Sequence, residues 1–225
     1  LQGICTDKAH SIFWSFTTVL VKTDADGKRI KTITVPSHHG DLCYWKGKIY
    51  VAVNLGRFNE AQRLADSWIY VYDEDLRLLA KTRTPEVVYG AGGIACDGKR
   101  FVVVGGLPPG VQENSVYEYD EELHFVKRHA IMSGYTWKGI QTAAYADGCW
   151  WFGCYGEPRT LLKVDEAFSG VKQYKFDGSL GIVGLSGEQF LIGRGSRLPQ
   201  TMFGGQVYVA GPDAINGLAE IRENP

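Results

Sequence analysis

No stretch of this 225-residue chain is apolar over the roughly 18 residues that a membrane-spanning helix requires, and no signal peptide is visible. Neither sign of charge is in excess: 24 Lys and Arg stand against 25 Asp and Glu, a net charge of -1. A general electrostatic grip on nucleic acid or an anionic membrane is thereby excluded, and neither is expected as a partner. Cysteine is scarce and odd in number. Cys5, Cys43, Cys96, Cys149 and Cys154 include no CxxC pair, which argues against a disulfide framework and a zinc knuckle. Cys149 and Cys154 flank WWFG at an odd spacing, so along a strand they face opposite ways; free thiols are expected. Sustained helical periodicity is missing, as are a GxSxG elbow, a P-loop and a dinucleotide fingerprint. The chain opens on Leu1 rather than methionine. The expectation is that an upstream segment has been removed, which favours a secreted or periplasmic protein.

What the sequence does contain is repetition. LVKTDADGKRIKTI, IYVYDEDLRLLAKT, VYEYDEELHFVKRH and LLKVDEAFSGVKQY each place an Asp and a short turn between two alternating strands. The aligned residues are Asp24, Asp73, Asp120 and Asp165, spaced by 49, 47 and 45, and Gly211 takes the place 46 further on in QVYVAGPDAINGLAEI. Ahead of each hairpin, a turn glycine precedes an aromatic-rich strand (KGKIYVAVN, DGKRFVVVGG, DGCWWFGCYG, SGEQFLIGRG), with KAHSIFWSFT a looser copy. Ahead of that, a strand opens on Gly3, Gly40, Gly93, Gly139 or Gly181. Five units of about 45 residues, each a four-stranded antiparallel meander, predict an all-β, five-bladed β-propeller that takes in residues 1–225 as one domain. The glycines would let inner strands converge on the axis, and the aspartates would form turns through side-chain bonds to nearby NH groups. DADG at residues 24–27 lacks the later carboxylates of a calcium loop.

In such a meander the turns WKGK, CDGK, ADGC, LSGE, DADG, DEDL and DEEL share one face and are short. The long, varied connections NLGRFNEAQRLADS, GGLPPGVQENS, CYGEPRT and GRGSRLPQTMFGGQ share the other with PSHHGD, PEVVYGAGG, SGYTWKG and KFDGSLG. Function is expected there. The ligand-binding candidates on that face are His38, Asp41, Asn54, Arg57, Glu86, Tyr89, Asn114, Trp137, Lys138, Gln141, Tyr155, Glu157 and Arg159. Those placed for catalysis are His39, Tyr135, Arg194 and Glu113. Position in the repeat singles out His39, Asp41, Lys138 and Gln141, which stand near the axis where equivalents are mostly apolar or small. Adjacent residues in extended chain point apart, so His38 and His39 cannot chelate one ion together. A divalent metal would instead be held by His39 with Asp41 and a ligand such as Gln141 or Glu113.

The pattern QGI, GKIYV, VYD resembles the propellers of the glutamine cyclotransferase, gluconolactonase-like and NHL groups along the whole chain. The cyclotransferase likeness begins at LQGI and continues through WSFTTVLVKTDADGKRIKTI. The glutamate which that family carries at the exit of the first-blade strand has no counterpart among Ser15 to Thr18. The gluconolactonase-like group implies a channel metal held by Glu, Asn and Asp, and here the equivalent first strand has no Glu.

Three readings stand side by side. A carbohydrate-active enzyme would act on a polar or acidic oligosaccharide at the mouth, as a monomer. As a lyase it would abstract a proton through His39 and Tyr135, with an arginine neutralising the acid; as a hydrolase it would use two carboxylates from Glu86, Glu113 and Glu157. A non-catalytic propeller that binds a small ligand or a protein is the second reading. A small-molecule cyclase or lactonase is the third.

Overall fold

The structure is a computed structural model in which residues 1–197 and 203–222 are described. It is an all-β propeller. The described residues form strands gathered into four sheets, one of six strands and three of four, so the propeller has four blades and not the five expected.

The departure lies between the first two repeats. β1 (Gly3–Thr6) pairs with the start of β2 (Ser11–Asp24), and β2 continues through SFTT without a loop. β3 (Arg29–Trp45) is 17 residues long, beyond the usual length of a strand. Its first part pairs with β2, from Val19↔Thr34 to Thr23↔Arg29. Its second part pairs with β4 (Lys48–Asn54), from Leu42↔Val51 to Trp45↔Lys48. PSHHG was expected to be a loop between blades. Instead it is extended, with register shifts on both of its ladders, so hydrogen bonding runs on through β5 (Ser67–Asp73) and β6 (Leu78–Arg83). The later repeats are separated by non-strand segments, for example residues 84–90, and there the ladder does break.

The second sheet holds β7 (Ala91–Cys96), β8 (Phe101–Gly105), β9 (Asn114–Tyr119) and β10 (Phe125–Ile131). The third holds β11 (Trp137–Ala146), β12 (Cys149–Tyr155), β13 (Thr160–Asp165) and β14 (Lys172–Tyr174). The fourth holds β15 (Ile182–Gly184), β16 (Phe190–Arg197), β17 (Phe203–Asp213) and β18 (Gly217–Glu220). Burial explains why the inner strands lack an apolar/polar alternation. FVVVG of β8 is buried at every position because sheets cover both its faces, whereas β6 on the rim is mostly exposed. Tyr50, Ile69, Ile94, Phe101 and Tyr117 fill the space between the first two sheets, and Trp150, Phe152 and Val104 that between the second and third. The ring closes where Ile4, Ile12 and Trp14 pack against Val183, Leu191 and Val207. All five cysteines are free.

The repeated aspartates act as the sequence implied. Asp24 Oδ1 accepts from Lys28 N, Asp73 Oδ1 from Arg77 N and Asp120 Oδ1 from His124 N, each at 2.8 Å, and Asp165 Oδ1 from Ser169 N at 2.7 Å. Three residues on, the backbone turns left-handed at Gly27, Leu76, Leu123 and Phe168, and the last three tuck their side chains into the core. The strand-opening glycines are forced by crowding. A Cβ on Gly40 would lie 2.3 Å from the Gly92 carbonyl oxygen, and one on Gly139 2.1 Å from that of Gly105.

Candidate functional site

Polar groups stand out in two places. The first holds His39 and Asp41, both fully buried but facing different partners. His39 Nδ1 lies 2.7 Å from the Pro36 carbonyl, which can only accept, so Nδ1 carries the proton. Nε2, 2.8 Å from the Tyr72 hydroxyl, is therefore the acceptor. Burial lowers the His39 pKa to about 4, and His38 and Lys81 push it the same way, against the Pro36 bond. His39 is a neutral imidazole with both nitrogens engaged, its edge against the Tyr70 ring.

Asp41 crosses the axis. Its Oδ2 accepts from Ala143 N on β11 at 3.0 Å. Burial pushes its pKa well above the carboxylate range, outweighing the pull of the Ala143, Leu42 and Ile4 NH groups nearby. Oδ1 is buried with no partner, and a Cβ on Gly3 would come within 2.1 Å of it. Carboxyl and backbone thus fill the axis at this depth. The metal site expected around His39 does not fit: both of its nitrogens are occupied, Glu113 pairs with Arg128, and Gln141 Nε2 donates to the Lys138 carbonyl at 2.7 Å. Among the described residues no group of three or more His, Cys, Asp or Glu side chains is placed to hold a metal ion.

The second place is a cleft of about 660 Å³ on the third sheet, lined by Tyr135, Trp137, Tyr155, Glu157, Pro158 and Arg159 among others. Strand pairing builds it: Trp137 opens β11, Tyr155 closes β12, and the two are register partners. Their rings lie 6.4 Å apart. Trp137 is 51% exposed and Tyr135 42%. Arg159 Nε donates to Glu157 at 3.0 Å, and Arg159 Nη1 lies 3.1 Å from Asp177 Oδ2. Ser179 donates to the other Asp177 oxygen from Oγ at 2.6 Å and from N at 3.2 Å. Burial raises the Tyr155 pKa, so its phenol stays protonated and donates to Gln2 Oε1 at 3.4 Å. Gln2 Nε2 in turn donates to Thr17 Oγ1 at 3.1 Å, linking the third sheet to the first.

The structure therefore brings Tyr135, Trp137, Lys138, Gln141, Tyr155, Glu157 and Arg159 to one mouth. It places the other candidates elsewhere. His38 packs edge-on against Phe58 at 5.1 Å, and buried Asn54 clamps its own loop through Gly56 and Asp66. Arg57 is exposed, and Tyr89 is half-buried with its carbonyl accepting from Asn59 N. Glu86 accepts from Tyr119, and buried Asn114 donates to Ser133 and Thr136. Arg194 stacks on Tyr208 at 4.2 Å and pairs with Glu220 at 3.3 Å. It lines a larger groove of about 1260 Å³ where the first and fourth sheets meet, whose walls are chiefly seam residues such as Leu1, Trp14, Phe16 and Val207. His39, Tyr135, Glu113 and Arg194 are thus not assembled into one proton-transfer site. The residues that sequence reasoning missed are Gln2, Thr17 and Asp177. Asp177 had a signal, the mouth loop KFDGSLG; Gln2 reaches Tyr155 across 153 residues of chain, which no local pattern records.

No protein-family model matches the chain, and no curated protein matches it in sequence. Solved structures do match in fold. Glutaminyl cyclase from Myxococcus xanthus has a TM-score of 0.57 at 12% identity over 98% of this chain and 89% of its own. The xylan β-1,4-xylosidase from Bacillus halodurans C-125 has a TM-score of 0.64 at 11% identity, over 97% of this chain and 54% of its own. The WD40 propeller domain of Doa1 has a TM-score of 0.54 at 13% identity, over 99% and 68%. At these identities the likeness shows the propeller fold alone.

Proposed function

We propose that this propeller is a carbohydrate-binding protein whose site is the cleft of Tyr135, Trp137 and Tyr155. The observation that carries the reading is Trp137: a large apolar ring, half exposed, fixed on a strand end by its pairing with Tyr155 and beside a second exposed ring. Exposed aromatic surface on a rigid element is costly in water, and it suits a ligand with an apolar face and polar edges, such as a pyranose. Glu157, Arg159 and Asp177 supply edge hydrogen bonds from a preformed ion-paired cluster. The fold likeness to a protein named for xylan agrees with a carbohydrate ligand but adds no residue to the argument.

One observation favours catalysis as a second reading. Glu157 and Asp177 are two carboxylates on a single guanidinium at the cleft, the residue types a glycosidase uses. The experiment is a calorimetric screen of neutral and uronate-containing oligosaccharides against the wild type and Trp137→Ala, with reducing ends measured in parallel. The expected result is binding by the wild type that Trp137→Ala weakens about ten-fold or more. Failure of every oligosaccharide to bind, or equal binding by the variant, refutes the proposal. Reducing ends released by the wild type but not by Glu157→Gln would convert it into the hydrolase reading.

A further inference from the structure

Lys138 is held in a conformation that lysine rarely adopts. It has φ 62° and Gly139 has φ 77°, two successive left-handed residues where β11 shifts register between Trp137 and Ile140. Such bulges bend a strand and re-aim its side chains. This one is locked on both sides. Gly139 leaves no room for a Cβ against the Gly105 carbonyl, and the Gln141 side chain donates to the carbonyls of Lys138 at 2.7 Å and Gly139 at 3.5 Å. The result is an exposed ammonium whose Nζ lies 4.4 Å from the centre of the Trp137 ring. Strain kept by surrounding structure at a cleft is a pointer to function.

The charges around it are unevenly spent. Arg159 is held by both Glu157 and Asp177, whereas among the described residues Lys138 has no carboxylate partner. A neutral sugar stacking on Trp137 must share the ring with Lys138 and gives the ammonium nothing in return. A sugar that carries a carboxylate supplies both the stacking face and the missing counter-charge.

Resting on the carbohydrate-binding reading, we infer that the cleft selects acidic oligosaccharides of the hexuronate class, with Lys138 as the residue that reads the carboxylate. The test uses tetramers of galacturonate, mannuronate and glucuronate, each beside its methyl ester, which has the same shape without the charge. The wild type should bind one free acid about two- to five-fold tighter than its ester at low salt, as an exposed ion pair allows. That preference should shrink as salt rises. Lys138→Gln should erase the preference, so that acid and ester bind equally whichever way the ester itself moves, and Lys138→Arg should keep the preference. Lys138→Gly, which accommodates the left-handed backbone, replaces Lys138→Gln if the latter misfolds by circular dichroism. Equal binding of acid and ester by the wild type, or a preference that survives loss of the ammonium, overturns the inference. Binding of neutral oligosaccharides alone overturns it too but leaves the carbohydrate reading standing; no binding of any oligosaccharide sinks that reading and this one with it.

Discussion

Acid should loosen this protein through His39 before it titrates ordinary carboxylates. The imidazole is fully buried, donates from Nδ1 to Pro36 and accepts at Nε2 from Tyr72, so taking a proton reverses the Tyr72 bond and places a charge inside the core. Its pKa is about 4 in the folded chain, against about 6.5 when unfolded. The unfolded state therefore binds the proton more readily, and stability rises with pH through this window. The contribution is complete above roughly pH 6.5 and falls away as pH drops toward 4: about 2 kcal/mol is lost at pH 5 and about 3 kcal/mol at pH 4. Asp41 works in the opposite sense. Its folded pKa is raised, so its contribution is present at low pH and lost as pH rises through the folded value. The net curve mixes the two, so the measurement is a difference: urea midpoints of the wild type and His39→Gln from pH 7.5 to 4.5, where Asp41 is common to both. The wild type should lose the stated amount relative to the variant, and the His39 ring proton should titrate near pH 4 by NMR. A parallel pair of curves, or a His39 titration near 6.5, would refute the account of a neutral buried imidazole.

Two glycine substitutions separate crowding from backbone strain. Gly40→Ala drives a methyl to 2.3 Å from the Gly92 carbonyl and should cost about 3 kcal/mol or more in a urea melt. Gly98→Ala, at φ 94° with nothing within 4 Å, should cost only about 1 kcal/mol, and near-equal losses would show that the inner strands are not crowded. Asp165→Ala removes the acceptor for Ala167 N and Ser169 N at a repeat turn and should lower stability by about 1 kcal/mol; an unchanged midpoint would mean that the turn holds without its side-chain bonds.

Features confined to one turn of chain were legible in the sequence. Asp24, Asp73, Asp120 and Asp165 announce a bond spanning four residues, and four residues are enough to see it. The glycines were legible because in each unit the inner strand opens hard against a neighbouring unit, though the atoms met differ. The blade count was not. Five strand-and-turn units are visible, but whether a ladder stops between two of them depends on the path of PSHHG, and residues of turn type do not exclude an extended, bulged passage. The left-handed Leu76, Leu123 and Phe168 were hidden for a related reason: apolar residues there look like strand, although each sits in the turn and is kept there by burial of its side chain. At the site, Trp137, Tyr155, Glu157 and Arg159 were candidates scattered among others over one face, and the pairing of β11 with β12 is what gathers them, while Gln2 and Thr17 belong to a network that only ring closure creates.

Polar residues at apolar positions of the repeat carry two different meanings here, and the structure separates them by what their atoms have left to offer. His39 and Asp41 stand out in sequence as strongly as Lys138, and the fold engages both ring nitrogens of one and buries the carboxyl of the other. Groups in that state pin the inner strands to one another, and reaching them would mean opening the core. Lys138 stands in the same place in the repeat as His39, one residue before the strand-opening glycine, yet its bulge turns it outward with an ammonium that no described carboxylate answers. Among these polar exceptions, Lys138 is therefore the one whose charge is still available to a ligand, and it stands at the strand end beside Trp137.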